Sequence, residues 1–279
     1  MEHYLQRKID YLQPVIANAY DELPFWSAPF GMLLFREMPM PRTGRVLDIG
    51  CGTGFPLTVL AARLGPQVEL IGLDPWAAAR DHAEQRLAAY TLGHAKVMDG
   101  DAAHLPFPDG HFDLVVGNLV INNVADVPAM FSESLRVLKP GGRLCISTNL
   151  NGTFKEIYGL LTEAMAHLRQ PEALHEIARS AAARRSRLQV CDLFHQAGFG
   201  QVRSKEDNHF MRWSGGGAFL NDPLVVMGFL PSWKALVPEE LHAKVFAFVE
   251  RSLDAWADEH GSVGLSLPVL YAEGQKGIN

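Results

Sequence analysis

The stretch Val46–Gly54, with the sequence VLDIGCGTG, joins a short apolar run to a turn with glycine at every second position. Arg45–Ile49 predicts a buried strand, and Pro56–Leu64 predicts a helix with Pro56 at its first position. Glycine allows a tight turn and a close approach of the backbone to a ligand. Because ligands of an open parallel sheet bind beyond the carboxyl ends of its strands, the stretch predicts a strand, a ligand-binding turn and a helix.

The alternation of strand and helix patterns continues along the chain as far as Thr148. Further strands are predicted at 68–73, 95–99, 113–117 and 143–148, and further helices at 77–90 and 127–138. The turn Lys139–Gly142 precedes the last of these strands. Alternation at this spacing is typical of βαβ units, so we expect an α/β fold with a doubly wound, mostly parallel sheet.

Helical patterns dominate after Thr148, at 154–169, 171–185 and 239–260, with Gly261 as a favoured C-terminal cap. A helix followed by a strand is predicted at 188–206, and a last strand at 263–272. We therefore expect helical cap insertions in the core. The predicted segments are an N-terminal helical lid at 1–41, a cofactor-binding core at 42–149, a helical insertion at 150–186, a return to the sheet at 187–206, a helical cap insertion at 207–262, and a final strand and tail at 263–279.

Composition excludes several classes of protein. Hydrophobic residues make up 48% and charged residues 20% of the 279 residues, which is ordinary globular usage. The formal net charge of −6 disfavours a nucleic-acid binder. The three cysteines form no C-x-x-C pair, so neither a disulfide framework nor a zinc site is expected, and no histidine pattern suggests a metal. Without a visible signal peptide or membrane span, a cytoplasmic location is expected.

Two acidic residues qualify the glycine turn as a cofactor site. Asp48 lies inside the first strand and Asp74 ends the second, where a carboxylate can accept both hydroxyls of a ribose. A dinucleotide site favours G-x-G-x-x-G, whereas Gly50–Gly54 reads G-x-G-x-G. The glycine spacing, with Asp48 two residues before Gly50, therefore differs from the dinucleotide pattern.

The segment Asp48–Gly54 resembles the first motif of class I S-adenosylmethionine (SAM)-dependent methyltransferases. The resemblance continues for about a hundred residues and is closest to ubiquinone/menaquinone C-methyltransferase-like members, of the methyltransferase domain 11 type. The other stretches that carry it are Gly72–Trp76, Gly100–Ala102, Leu105–Val115, Arg136–Leu144 and Pro268–Ala272.

This resemblance implies a seven-stranded Rossmann-like sheet, SAM as cofactor and S-adenosylhomocysteine as its product. It also implies a role for each residue that matches a motif. The resemblance assigns Asp74 to the ribose and Asn118 to the border of the methyl group. The residues implied to contact the methionine end of the cofactor are Asp48, Gly50, Cys51, Gly52 and Gly54, and those implied to contact the adenine are Pro75, Trp76, Asp101 and Ala102. Cys51 lies between glycines, so its backbone rather than its thiol is expected to matter.

The methyl acceptor has weaker signals. Many members of the family carry two histidines shortly after the fourth strand, where this chain has Asn122 and Asn123. An amide can orient a substrate but is no useful base at neutral pH. Tyr20 and Trp26 either line the substrate pocket or pack against the sheet as a hydrophobic staple. Trp213 either belongs to the hydrophobic core of the cap or lines the substrate-binding pocket. A basic cluster of Arg179, Arg184, Arg185 and Arg187 is either a solvated helix face or a lid that attracts an acidic substrate.

The sequence therefore predicts a SAM-dependent methyltransferase that acts on a small, partly hydrophobic metabolite, with no nucleic-acid partner. Candidate substrate-binding residues are Tyr20, Trp26, Asn122 and Trp213, and no catalytic base is assigned. Two alternatives stay open at this point. One is a nicotinamide-dependent oxidoreductase on the same sheet, and the other is a non-catalytic SAM-binding protein that acts through a partner. The oligomeric state is also open.

Overall fold

A computed structural model describes residues 3–7 and 24–278 of the chain. Their strands form one seven-stranded sheet with the order β3-β2-β1-β4-β5-β7-β6. The strands are β1 (Gly44–Ile49), β2 (Val68–Leu73), β3 (Ala95–Met98), β4 (Phe112–Asn118), β5 (Leu138–Asn149), β6 (Gly200–Trp213) and β7 (Val263–Gln275). The predicted α/β class with a doubly wound, mostly parallel, Rossmann-like sheet is confirmed.

The centre of the sheet is parallel and buried on both faces. In β1, Val46 lies between Leu70 of β2 and Leu114 of β4, and all three side chains are buried. Continuous apolar strands of this kind belong to sheets that are covered by helices on both sides. β7 runs antiparallel to β5, with Arg143 opposite Gln275.

Helices connect and flank these strands. Their bounds are α1 (Pro24–Glu37), α2 (Leu57–Leu64), α3 (Ala77–Ala89), α4 (Val127–Val137), α5 (Lys155–His167), α6 (Pro171–Ala181), α7 (Arg187–Ala197), α8 (Gly216–Asn221), α9 (Pro223–Gly228), α10 (Leu230–Ala235) and α11 (His242–His260). Local sequence sets several ends. Asp126 accepts a hydrogen bond from the Ala129 N–H at the start of α4, and Gly261 ends α11 at a φ of 79°.

Two segments differ from the sequence prediction. The turn Lys139–Gly142 lies inside β5 as an irregularity, because Leu138 pairs with Phe112 while Arg143 pairs with Leu114. β6 continues to Trp213, which is seven residues beyond the predicted end of this strand at residue 206. This strand lies at the edge of the sheet and alternates only between exposed and half-buried positions, so its polar sequence hides the strand pattern.

The chain divides into two compact units. Among the described residues, the core unit contains 24–149, 186–207 and 269–278, and the cap unit contains 3–7, 150–185 and 208–268. Inside the cap unit, Phe154 packs edge-on against a cluster of aromatic rings, those of Trp213, Phe219, Phe229 and Trp233. The segment boundaries predicted from the sequence remain a prediction.

No helix in the part of the chain that the structure describes is a candidate for a membrane span. None of these helices combines the length and the apolar character that crossing a bilayer requires.

Candidate functional site

The glycine turn follows β1 in the core unit and needs glycine for its backbone conformation. Gly50, Gly52 and Gly54 have φ values of 70°, 51° and 104°, a region that other residues rarely adopt. The Gly50 N–H donates to the carbonyl oxygen of Leu73 at 2.7 Å, which ties the turn to the end of β2. A Cβ atom on Gly52 would meet no described atom within 4 Å. The turn therefore leaves space for a ligand against its backbone.

Asp74 links the glycine turn to the end of β2. Its carboxylate accepts hydrogen bonds from the N–H groups of Gly52 and Trp76, both at 2.9 Å. Burial raises the pKa of Asp74, although these two hydrogen bonds oppose the shift. Each carboxylate oxygen keeps further acceptor capacity, so an oriented carboxylate of this kind can also accept the hydroxyls of a ribose.

Asp48 is a buried carboxylate to which no described residue donates a hydrogen bond. Its exposed fraction is 0%, and neither carboxylate oxygen has a hydrogen-bond partner in the described residues. Burial, together with the charge of Asp74, raises its pKa well above the ordinary value. An unpaired buried carboxylate costs free energy unless a cation compensates it. The ammonium of a methionine moiety is such a cation, so the residue fits the cofactor that the sequence predicts.

The segment expected to meet the adenine lies after β3. Asp101 accepts from the Ala103 N–H at 2.9 Å and lies 3.2 Å from Nδ1 of His104. The Ala103 N–H and His104 hold the pKa of this carboxyl below its usual range. Ala102 is buried, whereas the Asp101 side chain is 59% exposed and can accept a further donor from outside the chain.

Pro75 and Trp76 follow Asp74 directly, with Pro75 exposed and Trp76 half-buried. Trp76 is also the residue before α3, and its carbonyl oxygen accepts from the Arg80 N–H. The backbone of Trp76 is therefore held at the end of β2, where the sequence predicts the adenine.

A polar cluster lies at the carboxyl ends of β4 and β5. Asn118 accepts from the Ser147 hydroxyl at 2.7 Å. Asn122 donates from Nδ2 to Oδ1 of Asn149 at 2.7 Å and to Oγ1 of Thr148 at 3.1 Å. Sequence reasoning found Asn118 at the end of β4 and Asn122 after it, and missed their three partners on β5. The signal was a run of three polar residues, Ser147, Thr148 and Asn149, that ends an apolar strand.

Cys51 is a structural residue in this geometry. It is fully buried, and burial with the charges of Asp48 and Asp74 raises the pKa of its thiol. A raised pKa leaves little thiolate at neutral pH, so the side chain is a poor nucleophile. The structure thus supports the expectation that the backbone of Cys51 is what matters.

The remaining substrate candidates are not brought together by one unit. Tyr20 lies outside the described residues. Trp26 belongs to α1 in the core unit, where its ring packs edge-on against Phe30. Trp213 belongs to the cap unit, where its indole N–H donates to Asp222 at 2.7 Å and its ring packs against Phe219. These contacts support the cap-core interpretation of Trp213, and its role in substrate binding remains a prediction.

The basic cluster has ordinary local contacts. Arg179 pairs with Glu176 on the same helix, and the Arg184 guanidinium lies 5.8 Å from the centre of the Phe229 ring. Only Arg179 of these four arginines lies on α6, because Arg184 and Arg185 follow the end of that helix and Arg187 begins α7 in the core unit. No group of potential metal ligands occurs among residues 3–7 and 24–278.

A methyltransferase domain family model matches residues 47–146. The demethylmenaquinone methyltransferase of Geobacillus kaustophilus is 32% identical over 182 residues, which span 62% of this chain and 77% of that protein. The corresponding protein of Lactiplantibacillus plantarum is 33% identical, over 65% of this chain and 78% of that protein. A 2-phytyl-1,4-naphtoquinone methyltransferase of Synechococcus elongatus is 36% identical over 49% of this chain and 60% of that protein.

Solved structures agree with the fold. The YcgJ protein of Bacillus subtilis superimposes with a TM-score of 0.56 at 18% identity, over 90% of this chain and 99% of that chain. A phosphoethanolamine N-methyltransferase of Haemonchus contortus, in complex with S-adenosylhomocysteine, gives a TM-score of 0.54 at 18% identity, over 88% of this chain and 52% of that chain.

The three relatives found by sequence are named methyltransferases, so they support the SAM interpretation and do not support the nicotinamide alternative. Their similarity extends well beyond the glycine turn, because it covers about three quarters of two of the relatives. The chain belongs to the class I SAM-dependent methyltransferases, in the group that resembles the quinone methyltransferases, and SAM is its cofactor.

Proposed function

We propose that this protein transfers the methyl group of SAM to a small, partly hydrophobic acceptor that carries an aromatic hydroxyl, of the quinol or phenol class. The observation that carries the proposal is the similarity to demethylmenaquinone methyltransferases over about three quarters of their length. The fold alone would not support it, because the neighbour from Haemonchus contortus is named for an amine acceptor.

Different residues of the core unit would bind different parts of the cofactor. SAM supplies a methyl group on a sulfonium, its sulfur leaves as a neutral thioether, and the proton that the acceptor loses would pass to water. Asp48 would pair with the ammonium of the methionine end, and the open backbone at Gly52 would receive that end of the molecule. Asp74 would accept from the ribose, and Asp101 from the adenine amino group. The main contribution of these residues is alignment, which can supply several kcal/mol of the barrier reduction.

The polar cluster at the ends of β4 and β5 supports an aromatic hydroxyl as the group to be recognised. Its members are amides and hydroxyls, which orient an acceptor but do not remove a proton from a weak acid. Thr148 donates its own hydroxyl to the Asn149 carbonyl oxygen at 3.3 Å, so it meets the Asn122 amide as an acceptor. Both donors of Asn122 Nδ2 are thereby engaged, and its amide oxygen is left to accept from a substrate hydroxyl.

The net charge and the free cysteines support proposals about the class of acceptor and the cellular compartment. We propose a small-molecule acceptor rather than a nucleic acid, because the formal net charge is −6. We also propose a reducing, cytoplasmic compartment, which suits the free thiols of Cys51, Cys145 and Cys191.

The proposal is tested by measuring S-adenosylhomocysteine formation with three acceptor types at equal concentration: 1,4-naphthohydroquinone, a simple phenol and ethanolamine. We expect turnover with the aromatic hydroxyl compounds and none with the amine. Asn122→Leu should raise the KM for the accepted compound about tenfold, the effect of one lost hydrogen bond of about 1.4 kcal/mol, while S-adenosylhomocysteine affinity stays unchanged. Turnover of ethanolamine alone would contradict the proposed acceptor class.

A further inference from the structure

Gly31 lies in the interior of α1, a helix of 14 residues. Glycine is less favourable there than alanine, so its presence calls for a reason outside the helix. A Cβ atom on Gly31 would lie 2.2 Å from Cζ and 2.5 Å from Cε1 of Phe55. The edge of the Phe55 ring therefore occupies the space that any side chain at position 31 would need.

Phe55 brings this contact to the cofactor site. It directly follows Gly54, the last glycine of the turn, whose carbonyl oxygen accepts from the Thr58 hydroxyl at 2.9 Å. Gly54 itself is close to α3, because a Cβ atom there would lie 3.2 Å from Cα of Ala83. The end of the glycine turn is thus in contact with α1 through Phe55 and with α3 through Ala83.

The C-terminal end of α1 is fixed to the sheet. Arg203 donates from Nη2 to the Glu37 carbonyl oxygen at 2.9 Å, and Lys205 donates to the Glu37 carboxylate at 2.9 Å. The last carbonyl groups of a helix lack partners within the helix, so Arg203 caps this end. Arg203 also donates from Nε to the buried carboxylate of Glu273 at 2.7 Å, which anchors it to β7.

We propose that Gly31 is a positioning residue for the cofactor. α1 is held at its end by Arg203, and Gly31 lets the helix approach Phe55 closely enough to keep the glycine turn in the conformation that binds SAM. The inference rests on the cofactor and the turn, and it is independent of which acceptor the enzyme methylates.

The test compares Gly31→Ala with Gly159→Ala. Gly159 lies in the interior of α5, is exposed, and a Cβ atom there would meet nothing described within 4 Å. We expect Gly31→Ala to weaken S-adenosylhomocysteine binding in calorimetry at least about tenfold, or 1.4 kcal/mol. Gly159→Ala should leave the affinity unchanged and raise the melting temperature, because alanine is the better helix former.

A second variant separates positioning from general damage to the fold. In Gly31→Ala/Phe55→Leu the smaller side chain leaves room for the new methyl group, so most of the lost affinity should return. If Gly31→Ala does not fold, recovery of both the fold and binding in the double variant supports the proposal. Wild-type affinity in a folded Gly31→Ala, or a double variant that binds no better than the single one, would overturn it.

Discussion

Two carboxylates of the core unit are completely buried, and their surroundings are opposite. Asp48 in β1 and Glu273 in β7 both have an exposed fraction of 0%. Asp48 has no hydrogen-bond partner in the part of the chain that the structure describes. Glu273 is surrounded by donors from three strands: Arg143, Arg203, Tyr271 and Cys145. The same sheet thus provides partners for one carboxylate and none for the other.

The electrostatic consequences are opposite as well. Burial and the charge of Asp74 raise the pKa of Asp48. Burial alone would raise the pKa of Glu273, but hydrogen bonds from Arg203 and Tyr271 and the charges of Arg203 and Arg143 hold it below its usual range. Local rules of polar satisfaction are broken mainly at functional sites. Glu273 therefore stabilises the fold, whereas Asp48 weakens it, which is the cost expected for the cation-binding role that we propose for Asp48.

The largest expected effect on stability comes from Glu273→Gln, which keeps the shape and removes the charge. It should lower the free energy of unfolding by about 2 kcal/mol, which is less than the roughly 3–5 kcal/mol for breaking a fully buried pair, because Arg143 and Arg203 remain partly hydrated. Urea unfolding measures the change. The control is Glu69→Gln, at an exposed residue that pairs with Arg45 at 3.1 Å and should cost less than about 0.5 kcal/mol. Equal losses in both variants would contradict the comparison.

The free energy of unfolding should depend on pH in opposite ways through Asp48 and through Glu273. A carboxyl with a raised pKa binds its proton more tightly in the folded state, so stability falls as pH rises from its ordinary value towards the raised one. Asp48→Asn should remove this fall and leave the protein more stable at neutral pH.

Glu273 has the opposite sign. Its lowered pKa contributes stability that is present above its ordinary pKa of about 4.3 and is lost as pH falls through the folded value. Glu273→Gln should therefore flatten the acid side of the profile, where Asp48→Asn has little effect. Unfolding curves across the acid range measure both slopes, and identical profiles for the two variants would refute the assignment.

The smallest effect on the free energy of unfolding is expected for two tryptophans of the cap unit, one with and one without a hydrogen-bond partner among the described residues. Trp213 donates to Asp222 at 2.7 Å, whereas the indole nitrogen of Trp233 is buried and has no partner in the described residues. Trp213→Phe should cost more unfolding free energy than Trp233→Phe, by about 1 kcal/mol for the hydrogen bond, although Trp233 is the more buried ring. Thermal unfolding in parallel checks the order, and the reverse order would show that ring burial dominates.

The sequence predicted the parts of the fold that depend on local patterns. Strands β1 and β2 and helix α3 lie within one residue of their predicted bounds, because apolar runs, glycine turns and caps are encoded in neighbouring positions. The extension of β6 to Trp213 was missed, since an edge strand needs only one paired neighbour and tolerates a polar sequence.

In the candidate site, too, the sequence predicted individual residues but not the contacts between distant parts of the chain. Asp48, Asp74 and Asp101 were found because each lies in or after a predicted strand. Two features depend on residues far apart in the chain: Asp48 has no partner within residues 3–7 and 24–278, and the Ser147 hydroxyl donates to Asn118. Gly31 was missed for the same reason, because its neighbour Phe55 lies on a different element.

The most direct test of the account is calorimetric titration of wild type and Asp48→Asn with S-adenosylhomocysteine at neutral pH. The account predicts that the variant folds, is at least as stable as wild type, and binds about thirtyfold more weakly, as expected for about 2 kcal/mol of lost ion pairing. Equal affinity in the two folded proteins would show that the unpartnered carboxylate of Asp48 does not serve the cofactor.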